Sequence, residues 1–182
     1  MKPSGPSNPS PSRQRFHFSL TTKADRRRVW ETYLNLENWR EFSNIYGKMK
    51  WTHGQPWTVG SRLQIEVLHP VEGTVEHSII VCIPGRQIGW ADSGLGFTIA
   101  QWVSFDDEPG GGTVIQTAGE ISHGDLIIAG ETLEDRVKAF KETWYENFRR
   151  CCDRSFETNC NANPVQRFPG TPHSIRLVVR KS

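Results

Sequence analysis

The chain has 182 residues and a formal net charge of +2, because 22 Lys and Arg residues nearly balance 20 Asp and Glu residues. Its basic residues are dispersed along the sequence, so no basic stripe indicates a nucleic-acid partner or a membrane surface. The length fits one domain with a single sizeable core.

The four cysteines, Cys82, Cys151, Cys152 and Cys160, lack the paired spacing of a zinc site, and the histidines lack metal-binding spacings as well. We therefore expect no metal and no other cofactor. No stretch approaches the roughly 20 apolar residues of a membrane span, and no signal peptide is evident. We expect a cytoplasmic protein with no integral membrane segment, with free thiols, and with no bridge from Cys160 to Cys151 or Cys152.

The N-terminal residues 1–15 are rich in Pro, Ser and Asn and poor in apolar side chains. This composition predicts a disordered tail. From Phe16 onward, Phe18 and Leu20 alternate with polar residues, which is the period-2 pattern of a β-strand. The folded domain is therefore predicted to begin at Phe16.

Two short helices are predicted after this first strand. Thr22 and Asp25 have the spacing of a capping box, with Asp in place of Glu, so the first helix should begin near Ala24. Tyr33 lies on the apolar face of this helix, and a second short helix follows through Trp39.

A series of strands is predicted between residues 48 and 122. The apolar period there is two, and Gly, Pro or Asp interrupts the pattern at intervals of about ten residues. Links this short join antiparallel neighbours, because parallel pairs need long crossover connections. With the strand at Phe16, the pattern predicts one antiparallel sheet.

An apolar stripe at three- and four-residue steps predicts one long helix from Asp125 to Glu157, with Asp125 as its N-cap. At about 1.5 Å per residue this helix would be on the order of 45 Å long. Its charged residues, Lys141 among them, fall mostly off the stripe. Such a helix is unstable alone in water, so we expect it to fill the concave side of the sheet. The stripe consists of Leu126, Ala129, Leu133, Val137, Phe140, Trp144, Phe148 and Cys151.

Residues 158–182 are predicted to form a C-terminal tail, in which Asn and Pro residues mark a linker. Apolar side chains alternate over residues 173–180, so this part of the tail either adds an edge strand or stays loose. The folded domain is thus predicted to span residues 16–157.

Several short strings occur along the chain in this order: Val29-Trp30, Val59-Gly60-Ser61, Pro84-Gly85-Arg86, Trp90, Gly112-Thr113 and Gly124. Together with the order of elements, they resemble the START-like helix-grip superfamily, specifically the polyketide cyclase/dehydrase and lipid-transport family of small bacterial proteins. The resemblance implies an α+β, birch-pollen-allergen-like fold. Its curved antiparallel sheet of about seven strands wraps around a long C-terminal helix, and two short helices follow strand one.

One position departs from the pattern of that family. Its members often carry a His on the strand before the Gly-Thr turn, four residues ahead of an aromatic. Here the aromatic residue is Phe105 and the residue four positions earlier is Gln101. Gln can hydrogen-bond a ligand but cannot act as a general base, so a proton-transfer role at this position is not expected.

A sheet gripped by a helix leaves a cavity wherever the two do not touch, and here its walls would be mostly apolar. His77 shares the inward face of its strand with Ile79, which makes it a weak candidate for catalysis. Gln101 and Thr117 could orient a polar group of a ligand. The alternative is that the same residues pack together as a solid core. The predicted ligand-binding residues are Trp51, Ile65, Val67, His77, Ile79, Trp90, Phe97, Ile99, Gln101, Val103, Ile115, Thr117, Leu133, Val137, Phe140 and Trp144.

Three functions follow from the residues and the resemblance. The first is binding of a small hydrophobic or aromatic ligand, lipid-like or polyketide-like, by a monomer or weak homodimer. The second is an enzyme resembling polyketide cyclases or aromatases, in which His77 moves a proton. The third is a macromolecular interaction module similar to coenzyme Q-binding proteins. Whether the chain is an enzyme is left open by the sequence.

Overall fold

The computed structural model describes residues 12–69, 72–95, 97–123, 127–128 and 131–154. One strand, two short helices and six further strands are followed by a small hairpin and a long final helix. The elements are β1 (Ser12–Thr22), α1 (Arg26–Leu34), α2 (Leu36–Phe42), β2 (Tyr46–His53), β3 (Arg62–Val67), β4 (Gly73–Ile83), β5 (Gln87–Gly94), β6 (Phe97–Asp107), β7 (Thr113–His123), β8 (Ile127–Ile128), β9 (Glu131–Thr132) and α3 (Leu133–Asp153).

Strands β1 to β7 form one antiparallel sheet in the order β1-β7-β6-β5-β4-β3-β2. The first strand pairs with the last, so that Phe18 lies opposite Thr117. α1 and α2 then carry the chain to the opposite edge of the sheet, where β2 begins a series of hairpins. The predicted α+β helix-grip architecture is confirmed.

The short helices are capped by side chains. Asp25 is the N-cap of α1 and accepts a hydrogen bond from the backbone N–H of Arg28 at 2.9 Å. The helix therefore starts at Arg26. Thr22 is not the cap that the sequence predicted, because Asp25 occupies the N-cap position of α1. The hydroxyl of Thr22 instead accepts from the N–H of Ala24 at 3.2 Å and donates to Asp153 at the end of α3. Asn35 caps α2 by accepting from the N–H of Glu37 at 3.1 Å.

The long helix is shorter than the sequence predicted. α3 begins at Leu133 rather than Asp125, and its 21 residues correspond to about 31 Å. Ile127–Ile128 pair instead with Glu131–Thr132 as a small hairpin. Two adjacent β-branched Ile residues favour a strand. The helix was predicted to include them because the apolar residues around them recur at steps of three and four. The predicted helix end, Glu157, lies outside the described residues.

The first strand is longer than predicted and begins at Ser12, within the segment expected to be a disordered tail. Its early residues Arg13 and Arg15 lie 3.4 and 3.6 Å from the carboxylate of Glu120 on β7. The backbone ladder to β7 extends the strand over these polar residues, and the exposed ion pairs add little. Residues 1–11 and 155–182, with the proposed edge strand, lie outside the described residues.

Inward side chains form two apolar clusters. The smaller one consists of Phe16, Ile99 and Ile121, with half-buried Val137 of α3 packed against it. The larger cluster joins α1, α2 and the second half of α3 to the middle of the sheet. Its larger members are Val29, Tyr33, Trp39, Phe42, Leu63, Ile65, Ile79, Ile88, Trp90, Val103, Phe105, Ile115, Trp144, Tyr145 and Phe148.

The cysteines differ from the sequence-based expectation. Cys82 and Cys152 are free, but Cys151 is disulfide-bonded, so the prediction that all thiols are free is wrong. The spacing of cysteines cannot reveal such a bond, because it depends on which segments meet in the folded chain. Among the described residues, no helix has the length and apolar character needed to span a membrane.

Candidate functional site

Six side chains that carry polar groups are buried in the interior, next to the two apolar clusters. Four of them lie on the inner face of the sheet, where they alternate with apolar residues: Gln101, for example, lies between Ile99 and Val103 on β6. The other two lie on α3, which covers that face. We call this group the polar row; it consists of His77, Asp92, Gln101, Thr117, Lys141 and Tyr145.

His77 and Asp92 form the pair at one end of the polar row. They are cross-strand partners on β4 and β5, and Nδ1 of His77 is in direct contact with Oδ1 of Asp92. The imidazole stacks on Trp90, with ring centres 5.9 Å apart. Nδ1 is thus the ring nitrogen that faces the carboxylate, and Nε2 is the ring nitrogen that faces away from it.

Gln101 and Tyr145 form the centre of the polar row. The side-chain amide of Gln101 is fully buried, and its Nε2 donates to the hydroxyl of Tyr145 at 3.5 Å. Its Oε1 has no hydrogen-bond donor among the described residues. Burial raises the pKa of Tyr145, so its hydroxyl stays protonated and can donate to an acceptor. Gln101 therefore keeps one buried acceptor atom without a partner.

Lys141 is a charged residue buried on the inner side of α3, with 8% of its surface exposed. Its ammonium nitrogen lies 6.0 Å from the ring centre of Trp90 and 5.8 Å from that of Phe140. Within the described ranges it makes no hydrogen bond or ion pair. Burial lowers the pKa of Lys141 to about 8, against the opposing effect of the Asp92 charge.

Aromatic side chains fill the end of the interior next to α1 and α2. Tyr33 is at their centre, and its ring lies 5.4 Å from that of Phe105 and 5.9 Å from those of Trp90 and Trp144. Trp39 packs edge-on against Trp144 with ring centres 5.4 Å apart. In this part of the interior the residues pack as the solid core that the sequence left as an alternative to a cavity.

The first half of α3 lies less tightly on the sheet than the second half. Between Asp135 and Phe140 every side chain is exposed or half-buried, whereas Trp144 and Phe148 are buried. Phe140 reaches Tyr46 on β2, with ring centres 6.2 Å apart, and Val137 faces the smaller apolar cluster. A molecule lying under this half of the helix would meet apolar walls and the ammonium of Lys141.

The predicted ligand-binding residues lie on the inner side of the sheet or on α3. Those on the inner face that are buried are Ile65, His77, Ile79, Trp90, Ile99, Gln101, Val103, Ile115 and Thr117, with Trp144 buried on α3. Half-buried are Trp51, Val67, Phe97, Val137 and Phe140. Leu133 is the first residue of α3, and its side chain lies outside the described set. Their role in binding a ligand stays a prediction.

Sequence reasoning missed three members of the polar row. Asp92 follows Trp90 by two residues on β5, so strand alternation alone places it inside. Lys141 and Tyr145 stand four and eight residues after Val137, which is helical spacing on the same face. These signals are present in the sequence, but Asp and Lys are rarely buried, and the apolar pattern does not select them.

A surface depression of about 390 Å³ lies elsewhere, at the start of α1. The guanidinium group of Arg26 lines this depression and forms an ion pair with Asp107 at 3.0 Å, so its charge already has a partner. The depression does not reach the polar row; its lining residues are Asp25, Arg26, Arg27, Trp30, Gly85 and Asp107. Among the described residues, no group of three or more His, Cys, Asp or Glu side chains could hold a metal ion.

The seven-stranded antiparallel sheet, two short helices and C-terminal helix define a helix-grip fold. Two solved structures are similar to this chain. Ara h 8.0201, a Bet v 1-like protein, has a TM-score of 0.64 at 11% identity and covers 78% of this chain and 98% of its own. A protein from Rhizobium leguminosarum has a TM-score of 0.64 at 16% identity, covering 80% and 98%. At these identities the likeness establishes the fold alone.

No protein-family model matches the sequence, and a comparison with curated proteins finds no match. The function therefore has to be argued from the site itself. The features that bear on it are the polar row and the half-exposed first half of α3.

Proposed function

We propose that the chain binds a small, largely apolar molecule between the sheet and the first half of α3, with a polar group of that molecule turned toward the polar row. One observation carries this proposal. Oε1 of Gln101 and Nε1 of Trp90 are buried, and neither has a hydrogen-bond partner among the described residues. A helix-grip fold is a ligand-binding fold in general, which supports the same conclusion.

The energetics favour such a ligand. A buried polar atom without a partner costs about 1–3 kcal/mol, and a ligand that supplies the missing donor or acceptor removes that cost. Each Å² of apolar surface that the ligand buries contributes about 25 cal/mol. Val137, Phe140 and Phe97 are half-buried apolar residues that would provide such surface.

The test uses the neutral fluorescent probe N-phenyl-1-naphthylamine and a substitution that fills the proposed space. Val137→Trp places a large ring under the first half of α3, and we expect it to weaken probe binding about tenfold or more, because the ring occupies the volume of the ligand. Ala139→Trp adds the same ring to an exposed position of the same helix and is the matched control.

Fluorescence titrations report the dissociation constants, and thermal melts confirm that both variants fold. A wild-type protein that binds no probe, or a Val137→Trp variant that binds as tightly as the Ala139→Trp control, would contradict the proposal. Native mass spectrometry of freshly purified protein reports any retained ligand and tests the proposed monomer or weak dimer.

A second candidate function is an enzyme, and the contact between His77 and Asp92 favours it. Asp92 would hold the imidazole so that Nε2 removes a proton from a carbon next to a carbonyl group, a step that general-base catalysis accelerates by about 100-fold or more. The proton passes to Nε2, and the electron pair moves onto the carbonyl oxygen as an enolate.

Hydrogen–deuterium exchange of 2-tetralone, followed by NMR, tests this step. The enzyme proposal predicts accelerated exchange with wild-type protein and the uncatalysed rate with His77→Gln. The exposed His53→Gln variant is the control and should behave as wild type. No acceleration by the wild-type protein would leave simple binding as the function.

A further inference from the structure

Lys141 brings a positive charge into the interior without a hydrogen-bond acceptor to receive it. Its side chain is more than nine-tenths buried, and its ammonium group is placed over the ring of Trp90. The face of an aromatic ring attracts a cation, but it does not accept a hydrogen bond from an ammonium N–H as strongly as an oxygen atom does. Burying an ammonium group under these conditions is unfavourable unless a further partner is bound.

Asp92 is the acidic residue whose charge acts on Lys141, and it does not form an ion pair with it. Asp92 acts on Lys141 through its charge, but its Oδ1 contacts Nδ1 of His77. In the described part of the chain, no carboxylate lies within ion-pair distance of the ammonium group of Lys141. The polar row therefore contains a cation whose N–H donors remain available.

A second donor near Lys141 also lacks an acceptor. Nε1 of Trp90 is buried and has no hydrogen-bond partner among the described residues, and the ammonium of Lys141 lies over the same indole ring. Gln101, which faces Trp90 across the strand pair, adds an unsatisfied acceptor. The buried indole N–H of Trp90 and the ammonium of Lys141 are two neighbouring donors without a protein acceptor in the described part of the chain, and they suit an oxygen that accepts hydrogen bonds and carries negative charge.

We propose that Lys141 binds an anionic oxygen of the ligand, so that the preferred ligand is an apolar molecule with an acidic group, such as a carboxylate. Nε1 of Trp90 donates to the same group. The inference rests on the proposed function and names the chemical class of its ligand. Both an aliphatic chain acid and an aromatic acid carry this group, and the experiment separates them.

Competition against N-phenyl-1-naphthylamine at pH 7 tests the inference with two matched pairs. The pairs are dodecanoate with dodecan-1-ol, and 2-naphthoate with 2-naphthalenemethanol. We expect wild-type protein to bind the acid of at least one pair about tenfold more tightly than its alcohol, because a hydrogen bond to a charged group is stronger than one to a neutral group. The pair that shows the preference identifies an aliphatic or an aromatic ligand.

Lys141→Met should reduce that preference to less than about threefold while leaving the affinity for the alcohol nearly unchanged. Lys141→Gln is the second variant if Met does not fold, and Lys141→Arg keeps the charge and should keep the preference. Lys138→Met removes an exposed charge from the same helix and is the control.

The outcomes separate the inference from the proposed function. A wild-type protein that binds the probe but does not distinguish acid from alcohol overturns the inference and leaves the proposed function standing. A preference that survives Lys141→Met and Lys141→Gln also overturns it. If neither the probe nor any of the four molecules binds, the proposed function fails and the inference fails with it.

Discussion

Lys141 lowers the stability of the free protein at neutral pH. Burial lowers its pKa from 10.5 to about 8, which means that the folded state disfavours the ammonium form. Between these two pH values the unfolded chain binds more protons than the folded chain. The free energy of unfolding therefore rises with pH in this window, and the unfavourable contribution of Lys141 is largest below pH 8.

We predict that the stability difference between wild-type protein and Lys141→Met shrinks as pH rises. From pH 7 to pH 9.5, the free energy of unfolding of the wild type should gain roughly 2 kcal/mol relative to the variant, since each pKa unit corresponds to about 1.4 kcal/mol. Urea unfolding at both pH values measures this difference.

The comparison has to be made between the two proteins, because other buried groups act in the opposite direction. Burial raises the pKa of Cys152 to about 12 and raises the pKa of Tyr33 and Tyr145 as well. These groups lower stability as pH rises above 9, equally in both proteins. A difference that stays constant from pH 7 to pH 9.5 would show that Lys141 is not desolvated.

Gly119 shows how closely the residues around the polar row are packed. A Cβ at this position would lie 2.6 Å from Cζ of Phe16 and 2.7 Å from Cβ of Gln101. No side chain fits there without moving Phe16 or the strand that carries Gln101. The glycine lets β1 and β6 place these two residues at the border between the polar row and the smaller apolar cluster.

At the level of elements, the two halves of α3 differ in how they contact the rest of the domain. The second half is tied to the rest of the domain: Asn147 donates to the carbonyl of Phe42 at 2.9 Å, and Asp153 accepts from the N–H of Lys23 at 2.7 Å. The first half has no buried apolar side chain between Asp135 and Phe140. The second half of α3 therefore contributes more to the stability of the fold than the first half.

Alanine substitutions should reveal this difference. Trp144→Ala removes a buried ring and should lower the free energy of unfolding by about 3–5 kcal/mol. Phe140 belongs to the same apolar stripe but is half-buried, so Phe140→Ala should cost about half as much or less. Urea melts of both variants measure the two losses, and equal losses would mean that both halves of α3 are packed alike.

The sequence predicted the strands and their inner faces well because alternation is a local property. His77, Gln101 and Thr117 were placed inside by period alone, and each is buried. The start of α3 was predicted wrongly. The prediction used only the helical spacing of apolar residues, whereas the β-branched side chains of Ile127 and Ile128 favour a strand.

The buried charges could not be predicted in the same way. Whether Asp92 and Lys141 are buried depends on partners from other elements, such as His77 and Trp90, which are 15 and 51 residues distant in sequence. Hydrophobic pattern alone assigns charged residues to the surface. The polar row therefore emerges only when the strands and α3 are assembled.

In the whole molecule, burying a polar row beside two apolar clusters costs stability. A core made only of apolar residues would satisfy the fold equally well, so the unsatisfied atoms of Gln101 and Trp90 need another reason. The proposed ligand would supply that reason by hydrogen bonding to these atoms. The same fold supports many functions, so the site and not the fold carries this conclusion.

The most direct measurement is the set of intermolecular nuclear Overhauser effects from bound N-phenyl-1-naphthylamine to the methyl groups of the protein. Binding under the first half of α3 predicts contacts to Val137 and to Ile99 of the smaller apolar cluster. Contacts confined to exposed Ile80 and Ile83 on β4 would place the probe on the outside of the sheet and contradict the proposed site.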